Sequence, residues 1–206
     1  MIPKELLSGF RKSSAVVLVL TSVCYGGSLR TFPDYPSRPV SACAVSAEQA
    51  GFAIGVQPMD DPKEQRAYFH LTLKSRGLLP VYVVILNKSR ENSLLVDRSV
   101  IQSGVGDRVP APSTSPAMTP ELAVGSGVMF GLIGLLTALE KTSIVSEIRQ
   151  NMIEREIQSR TLPPGAAALG FLYIPVPKNG VRERIRLRIF VTAIPAGAAL
   201  PVDLVF

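Results

Sequence analysis

Tryptophan is absent from this chain of 206 residues, and histidine occurs once, at His70. A metal site needs several imidazole, thiolate or carboxylate ligands at suitable spacing, and no second histidine, cysteine or spaced carboxylate completes a set around His70. We therefore expect no metal site and no cofactor, and we expect His70 to be a structural or surface residue. Charged residues make up 18% of the chain and hydrophobic residues 47%, a composition that excludes a disordered chain.

Short catalytic motifs are also missing. The chain contains no Gly-x-Ser-x-Gly, no Ser-x-x-Lys and no phosphate-binding glycine loop that opens onto a Lys-Ser/Thr pair. No residue therefore qualifies as a candidate catalytic residue from its motif.

Only two cysteines are present, Cys24 and Cys43, and both precede the first predicted strand. Neither is expected to cross-link the core, although the short loop between them would allow a disulfide in an oxidising compartment. Lipidation is the second interpretation, because a lipoprotein signal ends in an aliphatic residue, two small residues and the acylated cysteine. Val40-Ser41-Ala42-Cys43 fits this pattern but follows no apolar run, whereas Thr21-Ser22-Val23-Cys24 ends an apolar run but has valine where a small residue belongs.

The N-terminus has no apolar run long enough to span a bilayer comfortably, for which about 20 residues are needed. Its apolar stretch, residues 15–23, follows the basic residues Lys4, Arg11 and Lys12. Such a segment is typical of an export signal. We predict a signal segment at residues 1–24, and we leave open whether it ends in a lipidated cysteine, is cleaved without lipidation or remains as an anchor.

The next segment, residues 25–47, alternates prolines with polar residues and predicts an extended linker. Residues 48–206 contain period-two strand patterns separated by short polar turns, without a repeating strand–helix–strand order. The fold class predicted for this domain is mainly β: an antiparallel immunoglobulin-like β-sandwich, with a helical hairpin inserted at about residues 119–160.

Individual elements follow from local patterns. Asp61 and Pro62 are typical of a helix N-cap and first helical position. The run at 80–86 is apolar on both faces and predicts a central strand, with a hairpin return strand at 94–102. Asn179-Gly180 predicts a second hairpin. The centre of the sandwich is expected to contain six aliphatic residues: Val81, Val83, Ile85, Ile185, Leu187 and Ile189.

The inserted segment is unusual for its glycines. Residues 123–139 are apolar throughout and contain Gly127, Gly131 and Gly134, a spacing that permits close contact between two helices. Residues 143–159 then predict an amphipathic helix. Two interpretations stay open for the glycine-rich helix: packing within its own domain, or contact with a membrane, a partner protein or a second copy.

The formal net charge is +6, and one cluster of positive charge lies on a predicted strand. Arg184, Arg186 and Arg188 share one face of it, opposite the aliphatic residues. A solvated face is the plain interpretation, and contact with an anionic surface is the functional one. Nucleic acid is not an expected partner, because the row lacks interleaved aromatic residues for base stacking.

Several of these segments together resemble small, mostly uncharacterised bacterial envelope lipoproteins with an immunoglobulin-like domain. The segments that carry the resemblance are Val40 to Cys43, Gly51 to Ile54, Tyr68-Phe69, Leu79 to Val81, Asn87 to Ser89, the glycine-rich helix, Leu162 to Gly165 and Gly170 to Tyr173. The resemblance implies an envelope location with Cys43 as the lipid site, and it brings no catalytic residues.

We therefore expect a non-enzymatic, exported and membrane-tethered module, on the periplasmic side of the envelope, that binds membrane lipid through its N-terminus. An accessory subunit of a membrane complex that docks through residues 123–139 is one alternative. An envelope hydrolase is the other.

Overall fold

The computed structural model describes residues 32–49, 51–106, 111–112, 115, 143–177 and 184–206. Within these residues the helices are α1 (Pro62–Phe69) and α2 (Ser143–Arg155). The strands in the same residues are β1 (Val45–Gln49), β2 (Phe52–Pro58), β3 (Leu78–Asn87), β4 (Ser93–Val96), β5 (Gln102–Val105), β6 (Ala111–Pro112), β7 (Arg160–Leu162), β8 (Ala167–Pro175), β9 (Ile185–Ile194) and β10 (Ala199–Val205).

The strands form two antiparallel sheets, which confirms the predicted mainly β class. The first sheet has the order β1-β2-β3-β8. In the second sheet β9 is central: β10 pairs along one side of it, and β5 and β4 share the other side, with β6 outside β5 and β7 outside β4. The glycine-rich part of the predicted insertion lies outside the described residues, and α2 follows it.

Strand β3 is the centre of the first sheet, as its sequence predicts. Its β-branched and aromatic residues favour a strand, and an apolar side chain at nearly every position allows burial on both faces. Val83 pairs with Val56 of β2 on one side and with Gly170 of β8 on the other. Both lateral edges of β3 are therefore occupied by strands of the same sheet.

The main core lies between the two sheets. The six aliphatic residues predicted for the centre of the sandwich are all buried in it, which confirms that prediction. In β9 these residues alternate with arginines that point away from the core, so the predicted inward and outward faces are also confirmed.

A second apolar cluster covers the opposite face of the first sheet. Phe69 from α1 and Met152 from α2 pack there on Tyr82, Phe171 and Tyr173. Helix α1 begins as predicted, with Pro62 in its first turn and the Asp61 carboxylate accepting a hydrogen bond of 2.8 Å from the Lys63 backbone N–H. The first sheet is thus enclosed by the second sheet on one face and by a helical layer on the other.

Two predicted hairpins are wrong. Strands β3 and β4 belong to different sheets, and so do β8 and β9. For the first hairpin the reason lies in β3, whose two edges are taken by β2 and β8, which leaves no edge for β4. The predicted return strand at 94–102 is also interrupted, because a 3₁₀ turn at Arg98–Val100 separates β4 from β5.

The described part of the predicted linker packs on the domain. Within residues 25–47, the side chains of Phe32, Tyr35, Val40 and Cys43 contact the second apolar cluster, and β1 begins at Val45. Prolines do not prevent this packing, because the aromatic and aliphatic residues between them supply apolar surface that the sheet can bury.

Asn87 connects the two sheets at the end of β3. Its side chain is fully buried, and its Nδ2 donates hydrogen bonds of 2.9 Å to the carbonyl oxygens of Asn92 and Leu162. Its Oδ1 accepts a third bond, from the Ser89 backbone N–H at 2.9 Å. Leu162 belongs to β7 of the second sheet, so one amide joins both sheets and a turn.

Candidate functional site

Residues 32–43, which we call the N-terminal strap, contact the rest of the domain through a cluster of aromatic and polar side chains. The ring of Tyr35 sits among three aromatic rings, with centroid distances of 4.9 Å to Tyr68, 4.9 Å to Tyr82 and 5.0 Å to Phe171. Edge-to-face contacts of this kind stabilise a fold beyond the area that they bury. The strap therefore covers part of the first sheet through a specific aromatic contact.

Polar contacts tie the same strap to both helices. The Arg155 guanidinium at the end of α2 donates a 2.5 Å hydrogen bond to the Pro33 carbonyl oxygen. The Tyr35 hydroxyl donates to the Glu64 carboxylate of α1 at 3.4 Å, and the Arg38 guanidinium lies 3.8 Å from the same carboxylate. Burial, with a contribution from Glu64, raises the pKa of Tyr35 to about 12.

Cys43 lies at the end of the strap and is half buried. A Cβ atom built on Gly55 of β2 would lie 2.7 Å from the Cys43 Sγ, closer than real contacts come, and 3.1 Å from the Val40 Cα, which is tighter than most real contacts. Glycine at position 55 is therefore what lets the strap approach the sheet. Burial raises the pKa of the Cys43 thiol, so the reactive thiolate is disfavoured at neutral pH.

A shallow groove of about 320 Å³ lies beside the strap. Its lining residues come from the strap, from β1 to β3 and from the turn after β3: Pro39, Val40, Ser41, Ser46, Ala47, Glu48, Ala53, Leu86 and Lys88. An ion pair between Lys88 and Glu48 stands among them. The groove thus combines a mostly apolar lining with one exposed pair of opposite charges.

The predicted arginine row lies on the open face of the second sheet. Arg184 and Arg186 are exposed. Arg188 forms a bidentate pair with Asp203, which lies directly opposite on β10, at 2.6 Å from Nε to Oδ1 and 3.1 Å from Nη2 to Oδ2. That arginine lowers the pKa of Asp203. The three arginines share a face as predicted, and Arg188 is paired within the sheet.

The sequence did not indicate a buried ion pair between Arg98 and Glu156. Arg98 Nη2 lies 2.7 Å from Glu156 Oε1, and the side chains are only 12% and 4% exposed. The Ser115 hydroxyl donates a 2.5 Å hydrogen bond to Glu156 Oε2. No spacing rule relates residues 58 positions apart, so only the fold brings this pair together.

The remaining predicted site residues fall into two groups. Cys24, Gly127, Gly131 and Gly134 lie outside the described residues. His70 is exposed at the C-terminal end of α1, in the left-handed conformation with φ 56°, and its ring centroid is 4.6 Å from that of Phe32.

Two further findings concern the part of the chain that the structure describes. No group of three or more histidine, cysteine, aspartate or glutamate residues there is placed to hold a metal ion. None of the helices in the same residues combines the length and the apolar character needed to cross a membrane.

Comparison with known proteins found no match among family models, curated proteins or solved structures.

Proposed function

We propose that this protein is an exported, membrane-tethered module of the bacterial cell envelope that acts by binding or by structural contact rather than by catalysis. The observation that carries the proposal is the position at which the packed domain begins. Phe32 already contacts the helical layer, and the basic residues and apolar run of the predicted export signal all precede it. The predicted signal segment, residues 1–24, is thus separated by only a few residues of sequence from the first packed side chain of the domain.

The layer order supports a binding role for the second sheet. Phe32 lies in the helical layer, on one side of the first sheet, and the arginine row lies beyond the second sheet, on the opposite side of the domain. A tether that joins the domain at Phe32 leaves this open face directed away from the point of attachment. We propose that the open face contacts a polymer of the envelope that carries phosphate or carboxylate groups.

Cell fractionation tests the tether. In a bacterial host, the full-length chain should sediment with membranes, and detergent but not high salt should release it, because apolar burial is insensitive to charge screening. Leu18→Arg, which places a charge in the predicted apolar run, should leave the protein in the cytoplasm, whereas the control Ser28→Arg should not. A wild-type protein found in the cytosol would end the proposal.

Salt elution from a polyanion tests the open face. The double variant Arg184→Ser/Arg186→Ser should elute from a dextran sulfate column at lower salt than the wild type, since each lost contact weakens an electrostatic interaction. The matched control is Arg66→Ser/Arg90→Ser, which removes two exposed arginines elsewhere. Equal elution of the two double variants would show that net charge alone governs retention, and the face would lose its role.

An accessory subunit that docks through residues 123–139 is the second proposal. It is supported by contacts on both sides of this run in the sequence: Ser115 is hydrogen-bonded to Glu156, and α2 packs on the domain through Ile148 and Met152.

We also propose that the two-sheet domain is a divergent immunoglobulin-like sandwich with a glycine-rich helical insertion. The antiparallel pairing of every strand in both sheets is consistent with that class.

A further inference from the structure

We infer that the N-terminal strap remains on the mature protein and that Cys43 is a packing residue of the domain, not its first residue or its lipid attachment site. The inference rests on the proposed function only in assuming that the N-terminus is processed. Cleavage at the sequence Val40-Ser41-Ala42-Cys43 would hydrolyse the peptide bond before Cys43 with water and leave Cys43 as the new N-terminus. The first sheet would then lose most of the strap, which covers part of its helical face.

The aromatic contacts give the first reason. Such a cleavage would remove Tyr35 and expose Tyr82 and Phe171, which are now 3% and 2% exposed. It would also remove Phe32 from His70 and leave the Arg155 guanidinium without the Pro33 carbonyl oxygen. Burial of large aromatic surface is a leading contribution to stability, so a chain that begins at Cys43 has a less stable domain.

The surroundings of Cys43 give the second reason. Its backbone N–H donates a 3.2 Å hydrogen bond to the Val40 carbonyl oxygen and closes the 3₁₀ turn at Val40–Ala42. Its Sγ occupies the space that a side chain at position 55 would need. A lipid on this sulfur would have to replace the contact with Gly55, and a new charged amine would replace the hydrogen-bonded backbone N–H.

Mass spectrometry of the full-length chain, produced in a bacterial host and purified through a C-terminal tag, decides between the two start sites. We expect an N-terminus at or before Phe32, and a peptide containing both Tyr35 and an unmodified Cys43 that reacts with iodoacetamide after denaturation. A mature chain that begins at Cys43, or a lipid mass on Cys43, would overturn the inference. An unprocessed cytosolic chain would refute the proposed tether and would still show that the strap is retained.

A double-mutant cycle tests the packing without depending on export. Gly55→Ala should lower Tm by about 3 °C or more in the wild-type background, where the added methyl group meets Cys43. In a Cys43→Gly background the same substitution should cost clearly less, because the thiol is gone. An equal loss of Tm in both backgrounds would show that Cys43 does not pack at this position.

Discussion

The two sheets of this protein differ in how many of their faces are buried, and their sequences reflect the difference. In the first sheet, β3 is apolar at nearly every position, because the second sheet covers one face and the helical layer covers the other. In the second sheet, β9 alternates aliphatic residues with arginines, because the described residues cover only one of its faces. The first sheet therefore supplies most of the buried apolar surface, and the second sheet carries the exposed arginines.

The largest expected difference in unfolding free energy is between a substitution at a buried position of the first sheet and one at an exposed position of the second. Ile85→Asp should abolish the folded state, because an unpaired buried charge costs several kcal/mol, comparable to a total stability of about 5–15 kcal/mol. Arg186→Ser on the open face should cost less than about 1 kcal/mol. Chemical unfolding monitored by circular dichroism measures both, and a tolerated Ile85→Asp would show that the faces are assigned wrongly.

The next comparison is between the buried ion pair of Arg98 with Glu156 and the exposed ion pair of Arg188 with Asp203. Glu156→Gln leaves the buried Arg98 charge uncompensated and should destabilise the protein by about 3–5 kcal/mol. Asp203→Asn breaks the exposed pair with Arg188 and should cost far less, because water screens this pair. The ionic contacts in the two pairs are of similar length, so equal losses of unfolding free energy would mean that burial is not what distinguishes them.

Gly170→Ala tests how the outer edge of β8 is closed. A Cβ atom at this position would lie 2.6 Å from the backbone N and Cα of Ile157, and the Ile157 N–H donates to the Phe171 carbonyl oxygen at 3.0 Å. We expect a loss of about 1–3 kcal/mol, as for other overpacked sites. The control Leu169→Ala changes an exposed neighbour and should cost about 0.5 kcal/mol or less in the same unfolding experiment.

Alkaline titration gives the smallest expected effect. The pKa of Tyr35 is about 12, and burial raises that of Tyr173 well above 10, so both keep their protons in the folded state when unfolded tyrosines ionise near pH 10. The contribution of Tyr35 to stability is therefore complete below pH 10 and is lost as pH rises towards 12, and the contribution of Tyr173 also begins to fall only above pH 10. Tyr35→Phe should reduce this loss, measured as the unfolding free energy at each pH.

The pH dependence below the tyrosine range serves as the control for this variant. Between pH 7 and 9 the curves for wild type and Tyr35→Phe should run parallel, since neither tyrosine titrates there. Curves that stay parallel up to pH 12 would show that Tyr35 is accessible to solvent, and the cover over the first sheet would be looser than its contacts indicate.

Local patterns predicted the strand core, the start of α1 and the outward arginines, because each depends on residues close together in the chain. They did not predict which sheet a strand joins, since that depends on the occupied edges of β3. Nor did they predict the pair of Arg98 with Glu156, or the packing of Tyr35, whose neighbours Tyr68, Tyr82 and Phe171 are distant in sequence. The proline content of the strap gave no indication that its side chains would pack on the first sheet.

The buried amide of Asn87 has a consequence for how the chain selects one alignment of its strands. Its three hydrogen bonds require the end of β3, the following turn and Leu162 to arrive together. If β3 slipped by one residue, the amide would be removed from these partners, and an aliphatic run would tolerate such a slip far better than a buried polar group does. A single polar side chain in an otherwise apolar strand thus supplies the alignment that the aliphatic residues cannot.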